Sequence, residues 1–224
     1  MGLEVLYEDN HLIVINKRSG DLVQGDKTGD KPLSEVVKEY IKVKYNKPGD
    51  VYLGVAHRID RPTSGIVVFA RTSKALTRLN KMFQEKEIQK TYWAVVRNKP
   101  EAESGTLIHW LKRNTTQNKS YAHYKSIGEG SKESILTYNL KAKSKNYFLL
   151  EVHPKTGRHH QIRCQLSFIG CPIKGDLKYG AKRSNPDGSI HLHARGIEFI
   201  HPVKKEPTKV VAPPPREVIW DSFV

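Results

Sequence analysis

Residues 65 to 70, Gly-Ile-Val-Val-Phe-Ala, form an unbroken apolar run rich in β-branched side chains. Neither a half-exposed strand, which alternates, nor an amphipathic helix reads this way, so the run predicts a buried strand. Just before it stands His57-Arg58-Ile59-Asp60-Arg61-Pro62-Thr63-Ser64, where one carboxylate sits among three potential cations. Just after it, Thr72 or Ser73 is suited to cap a helix whose apolar stripe is Ala75, Leu76, Leu79, Met82 and Phe83. A lone acid held at the mouth of a buried strand is a candidate catalyst.

The remaining pattern fills out an α+β fold. Leu3 to Tyr7 and Leu12 to Ile15, parted by Glu8-Asp9-Asn10, predict a hairpin. From Pro32, the apolar residues Leu33, Val36, Val37, Tyr40 and Ile41 fall at helical spacing. Lys90 to Val96 alternates, with Tyr92, Ala94 and Val96 on one face and Thr91, Trp93 and Val95 on the other. Residues 109 to 125 mix Trp110, Tyr121 and Tyr124 with Lys112, Arg113, Lys119 and Lys125, too polar for a core but suited to a surface hairpin that touches phosphates and bases. Strands are predicted at Ile135 to Leu140, Tyr147 to Val152, 190 to 193 and 196 to 200. A helix carrying Arg158 through Leu166 is predicted to end at Gly170, and Asn185-Pro186-Asp187-Gly188 reads as a turn. Residues 212 to 215, Ala-Pro-Pro-Pro, suit extended polyproline. No regular βαβα alternation appears. The expected architecture is therefore one domain over residues 1–224, built on a mixed, mainly antiparallel sheet with flanking helices.

Charge narrows the partner. With 38 Lys and Arg against 23 Asp and Glu, the formal charge is +15, and the basic residues are interleaved with aromatics along the chain. Such a surface favours a polyanion, RNA or DNA. The two cysteines, Cys164 and Cys171, match neither a zinc-knuckle pair nor a disulfide framework. Charged Glu4 and Glu8 occupy the place where a signal peptide needs an apolar core, and no apolar run reaches membrane-spanning length. A cytoplasmic monomer that uses no membrane is the expectation. Among ten histidines, His159 with His160 and His191 with His193 invite a metal reading. Adjacent helical positions point about 100° apart, however, and no carboxylate or cysteine completes a ligand set, so no metal site is predicted.

Three segments together resemble one family. His57 through Ala70 is similar to the HRLDxxTSGxxxxA signature of RluA-type pseudouridine synthases. Lys90-Thr91-Tyr92-Trp93-Ala94-Val95-Val96 resembles their KxYxAxV strand, and Thr156-Gly157-Arg158-His159-His160-Gln161-Ile162-Arg163 their TGRxHQIR segment. Fainter echoes lie at Leu6 to Lys17, at Ile173-Lys174-Gly175-Asp176 with Tyr179-Gly180, and at Leu192-His193-Ala194 with Phe199 to Pro202. Ile59 replaces the usual Leu, and Asn16-Lys17-Arg18 stands where the family commonly has Lys-Pro. The expectation is a catalytic region with no separate S4-type RNA-binding domain, in which case recognition falls to this domain or to residues 109–125 and 178–188.

The resemblance implies isomerisation of a uridine within ribosomal RNA, tRNA or both, without cofactor or metal. Asp60 carries over as the catalytic carboxylate, Arg163 as the cation that keeps it ionised, Tyr92 as the platform for the uracil, and Arg58 as an aid to flipping. His57, Thr63, Ser64, Gly65, Gly157, Arg158, His160 and Gln161 carry over as supports of their loops. Without the motifs, Asp60 reads as a turn carboxylate, Arg163 as a surface arginine and Tyr92 as sheet packing. Thr63 and Ser64, with no base assigned to them, shape the loop and are not read as nucleophiles. Two rivals remain: a non-catalytic RNA-binding or RNA-folding module on the same fold, marked by loss of the acid or its Arg, and a metal-dependent nuclease, which would need a carboxylate cluster.

Overall fold

The opening hairpin begins the sheet. In the computed structural model, which describes residues 2–25 and 29–223, β1 (Val5–Glu8) pairs antiparallel with β2 (Leu12–Lys17). Asp9 closes the turn by accepting from the backbone N–H groups of His11 and Leu12 at 2.8 and 2.7 Å. The described residues divide into two compact units, each assembled from two stretches of chain: residues 1–89 with 194–215, and 90–193 with 216–224.

In the first unit, α1 (Leu33–Lys44) buries Leu33, Val37 and Ile41. A short β3 (Gly54–Val55) and β2 both pair antiparallel with β4 (Ser64–Ala70). All seven residues of β4 are buried, as the apolar run requires. Each large aliphatic or aromatic side chain shielded there contributes about 1.5–3 kcal/mol. Next, α2 (Ser73–Gln84) is capped by Thr72, whose hydroxyl accepts from the Ala75 N–H at 3.2 Å.

The second unit stacks β5 (Gln89–Val96), β6 (Ser104–Asn114), β7 (Lys119–His123), β8 (Ser131–Lys143) and β9 (Phe148–Pro154) in the spatial order β5-β9-β8-β6-β7, every neighbouring pair antiparallel. The alternation in β5 works as read. Ala94 and Val96 join Leu136, Leu150 and Val152 beneath Ile162 and Leu166 of α3 (Gln161–Phe168), while Trp93 and Val95 pack on the other face with Leu149 and Trp220. Cys164 and Cys171 are buried free thiols, and burial pushes Cys164 up to about 12.

Three sequence expectations need correction. The sequence predicts two strands at 190–193 and 196–200, but one continuous strand, β10 (Leu192–Ile200), runs through 194–195 without a break; residues 190 and 191 precede it, and its ladder with β11 (Pro207–Val211) begins at Gly196. The hairpin at 109–125 is only half surface, since His109, Leu111, Ser120 and Ala122 are buried. Polarity averaged along a strand hides a face that alternates. Finally, α3 starts at Gln161 and not at Arg158, because His160 adopts a left-handed backbone, φ 52°, that ends the preceding turn. The strands β3 and β11 and the terminal turn α4 (Val218–Asp221), which delivers Trp220, were not anticipated. Among the described residues, no helix is long and apolar enough to cross a membrane.

Candidate active site

The first unit carries the Asp60 turn, and neighbouring backbone holds it. Thr63 N–H donates to the Asp60 carbonyl at 3.0 Å, and Gly20 N–H to the Arg61 carbonyl at 2.9 Å. The Ser19 hydroxyl reaches the Pro62 carbonyl at 3.0 Å, and Arg61 pairs with Asp30 at 2.7 Å. At the upstream end, the His57 Nε2 accepts the Val68 N–H at 2.9 Å, and the ring lies 4.8 Å from that of Phe83, so His57 ties the motif to β4 and α2. Downstream, Gly65 has φ +109°, and a Cβ there would stand 2.4 Å from the Ala194 carbonyl oxygen. Only glycine fits. Thr63 and Ser64 are buried, whereas Arg58 is exposed and Asp60 half-buried, so the loop alternates between core and solvent.

The sequence reading missed the centre of this turn, Lys17. Its side chain is 1% exposed, and its ammonium donates to the carbonyls of Arg18, Asp21 and Arg61 at 2.8, 2.9 and 3.1 Å. Burial pushes this ammonium down to about 8, against the fields of Asp21 and Asp60, which raise it. The available signal was the end of β2, Leu-Ile-Val-Ile-Asn-Lys, where a run buried on both faces leads straight into a lysine.

The second unit carries the other motif residues. Tyr92 stands on β5 opposite Val152 and packs on the edge of that unit's core. Gln161 knits the turn before α3 to β8: its Oε1 accepts from the Thr156 hydroxyl and Arg158 N–H at 2.7 and 3.0 Å, and its amide donates to the Ile135 carbonyl at 3.1 Å. Arg158 is exposed and reaches the Glu133 carbonyl at 3.3 Å, and a Cβ at Gly157 would stand in ordinary contact, 3.8 Å, with the Lys90 ammonium. Arg163, 5% exposed, makes a two-point pair with Asp176, from Nε at 2.7 Å and Nη2 at 2.9 Å. Asp176 is a second residue the sequence reading missed as a site member, although the Gly175-Asp176 echo contained it. The pairing fixes the guanidinium plane.

The histidines of this segment are not helical neighbours pointing apart. Their rings stack, with centroids 3.7 Å apart. Burial first, and then the fields of Arg163, His159, Lys178 and Arg113, push His160 down to about 2, so it is neutral and its Nδ1 faces the Tyr179 hydroxyl at 3.0 Å. A neutral, hydrogen-bonded imidazole there organises the turn without adding charge beside Arg163.

Residues 11–168 match the sequence profile of the family described as RNA pseudouridylate synthase. The chain belongs to this family. It is an RluA-type member: it is 33% identical over 93% of its length to a ribosomal large subunit pseudouridine synthase C of Buchnera aphidicola and 31% identical over 91% to a tRNA pseudouridine synthase C of Vibrio parahaemolyticus. It spans 66% of the first relative's length and 87% of the second's. Among solved structures, human RNA pseudouridylate synthase domain containing 4 superposes with a TM-score of 0.79 at 24% identity, covering 95% of this chain and 89% of that one. Human RNA pseudouridylate synthase domain containing 1 gives 0.73 at 25% identity, covering 96% and 84%. The α+β pseudouridine synthase fold read from the motifs is the fold found.

Proposed function

We propose that this protein isomerises uridines within structured RNA to pseudouridine, with residues 1–224 acting as one catalytic domain and Asp60 as its carboxylate. The observation that carries the reading is the construction of the Asp60 turn. An acid serving only as a surface turn residue has no need of a buried ammonium, a glycine-only crossing and a histidine strut around it.

In the reaction the C1'–N1 bond of the uridine breaks, the uracil turns, C5 bonds to C1', and the C5 proton is lost as N1 gains one. Asp60 acts at the ribose, by adding to C1' or by taking a sugar proton, and both routes need it ionised. Tyr92 supplies the face on which the uracil stacks, Arg163 a cation of fixed orientation, and the exposed Arg58 a group to fill the gap left by the flipped base. No step needs a metal or cofactor. Relatives named for ribosomal RNA and for tRNA make both the first substrates to try.

The test uses RNA labelled with tritium at uracil C5, because isomerisation releases that label. Wild type should release it from ribosomal RNA or tRNA, and Asp60→Asn should slow release at least about 1,000-fold while RNA binding holds within a few-fold. Turnover retained by the variant would overturn the catalytic assignment. Binding without release by the wild type would favour the non-catalytic RNA-binding module.

A further inference from the structure

The tip of the β6–β7 hairpin gathers positive charge. Arg113 and Lys119 flank the turn, Lys112 precedes it, and Lys178 donates to the carbonyls of Gln117 and Asn118 at 3.4 and 3.1 Å. Among the described residues no carboxylate lies within ion-pair distance of these four. Arg113, like Lys178, is held by a neutral acceptor, its Nη2 donating to Asn118 Oδ1 at 3.0 Å, and Asn114 Oδ1 closes the turn on the Gln117 N–H at 2.9 Å. Cations collected this way repel one another until a polyanion arrives.

One side chain joins this tip to the turn that leads into Arg163. His159 occupies the variable position of the TGRxHQIR segment, and its ring spans the gap, with Nε2 3.1 Å from Asn118 Oδ1 and Nδ1 2.9 Å from the Ser120 hydroxyl. That hydroxyl also reaches the His159 carbonyl at 2.8 Å. Since Asn118 Oδ1 only accepts and already takes Arg113, His159 must donate to it through Nε2–H. Behind it, the ring stacks on His160, whose Nδ1 faces the Tyr179 hydroxyl, and that same hydroxyl accepts the Ser120 N–H at 2.8 Å. Lys119 and Arg163 lie 5.3 and 5.1 Å from the Tyr179 ring centre. Tip, latch and arginine are thus joined through a few consecutive contacts inside one unit.

We propose that His159 is a positioning residue that latches the cationic hairpin tip in fixed register to the Arg163 helix, where the tip grips RNA backbone phosphates beside the target uridine. The inference rests on the RNA-modifying reading above, and His159 touches neither the base nor the ribose. Its role is to hold Arg113 and Lys119 at one spacing from Arg163, so that phosphate contacts form without first ordering the tip.

Two variants break the latch from opposite sides. His159→Ala removes the ring. Asn118→Gly removes the acceptor yet keeps the left-handed backbone, φ 46°, that this turn position requires. Binding of total tRNA and of fragmented ribosomal RNA is measured by filter retention over a salt series, with tritium release from C5 and the melting temperature read on the same preparations. Each single variant should weaken RNA binding and raise KM about tenfold, leave kcat within twofold, and reduce the salt slope by about one phosphate contact. The double variant should bind no worse than the weaker single, because both break one link. Binding and salt slope equal to wild type in either folded variant would overturn the latch, as would independent, multiplying losses in the double variant. An absence of tritium release by wild type bears on the isomerase reading alone, because the binding arm still decides the latch.

Discussion

The Asp60 turn and the Arg163 turn place charge in two opposite ways. In the first unit a buried cation, Lys17, spends its hydrogen bonds on three backbone carbonyls and so pins the shape of a loop. In the second a buried cation, Arg163, is met head-on by a carboxylate, Asp176, and so pins a side chain. The first arrangement leaves the ammonium poorly compensated, which is why burial can drag it down to about 8. The second uses a group that does not titrate in proteins. A loop held by a titratable donor ought to respond to pH, and a side chain held by an ion pair ought to respond to loss of its partner.

The largest effect should come from breaking the ion pair. Asp176→Ala leaves the Arg163 charge buried without the carboxylate that faces its Nε and Nη2, at a cost of about 3–5 kcal/mol, or a fall in melting temperature of roughly 10 °C for a chain of this size. Replacing both partners with apolar residues, as in Arg163→Met with Asp176→Leu, should recover much of that stability, because the cost lies in taking this carboxylate away from a buried guanidinium. If the double variant melts no higher than Asp176→Ala, the ion-pair account of this turn is wrong.

Breaking the carbonyl clamp should cost less in stability and more in turnover. Lys17→Met removes the donor from three carbonyls but also relieves the burial of an ammonium, so the net loss should be about 2 kcal/mol. The Asp60 turn then loses one of the two donors on the Arg61 carbonyl, and a displacement of the acid by about 1 Å is worth about 100-fold in rate. Tritium release and melting temperature measured together separate the two effects. Turnover within a few-fold of wild type would show that Gly20, Ser19 and Thr63 hold the turn unaided.

The motifs gave the order of these parts but not their company. Asp60, Tyr92 and Arg163 stand out because each sits in a segment with several family-like residues. Lys17 and Asp176 appeared only as faint echoes. The reason is physical: a lysine after an apolar strand reads as the solvent end of that strand, and nothing local shows that the chain folds over it. Asp176 is 13 residues from Arg163, and the left-handed glycine before it, Gly175 at φ +89°, turns the backbone so that the two meet. His160 shows the opposite failure. Its segment has helical composition, yet the left-handed backbone at that residue delays α3 to Gln161, and with the delay comes the stacking of His159 on His160 that helical geometry would forbid.

The smallest effect, and the sharpest on the contrast between the turns, is the pH dependence of the Lys17 clamp. Its folded value of about 8 lies below the unfolded 10.5, so between those limits the unfolded chain binds more protons than the folded one. Stability from this residue therefore rises with pH across that window, because the penalty for burying the charged ammonium is lifted as the folded protein loses its proton. Moving from pH 7 to pH 9 crosses the folded value and should contribute about 1 kcal/mol. The slope is isolated by subtraction: chemical denaturation of wild type and Lys17→Met at both pH values, with the difference between the two proteins shifting by that amount in favour of wild type at pH 9. The same subtraction with Asp176→Ala should give no such shift, because that variant leaves the Lys17 clamp in place. Equal pH responses in wild type and Lys17→Met would mean that the clamp is held by a lysine of ordinary acidity, and the contrast between a titratable loop anchor and a permanent side-chain anchor would fail.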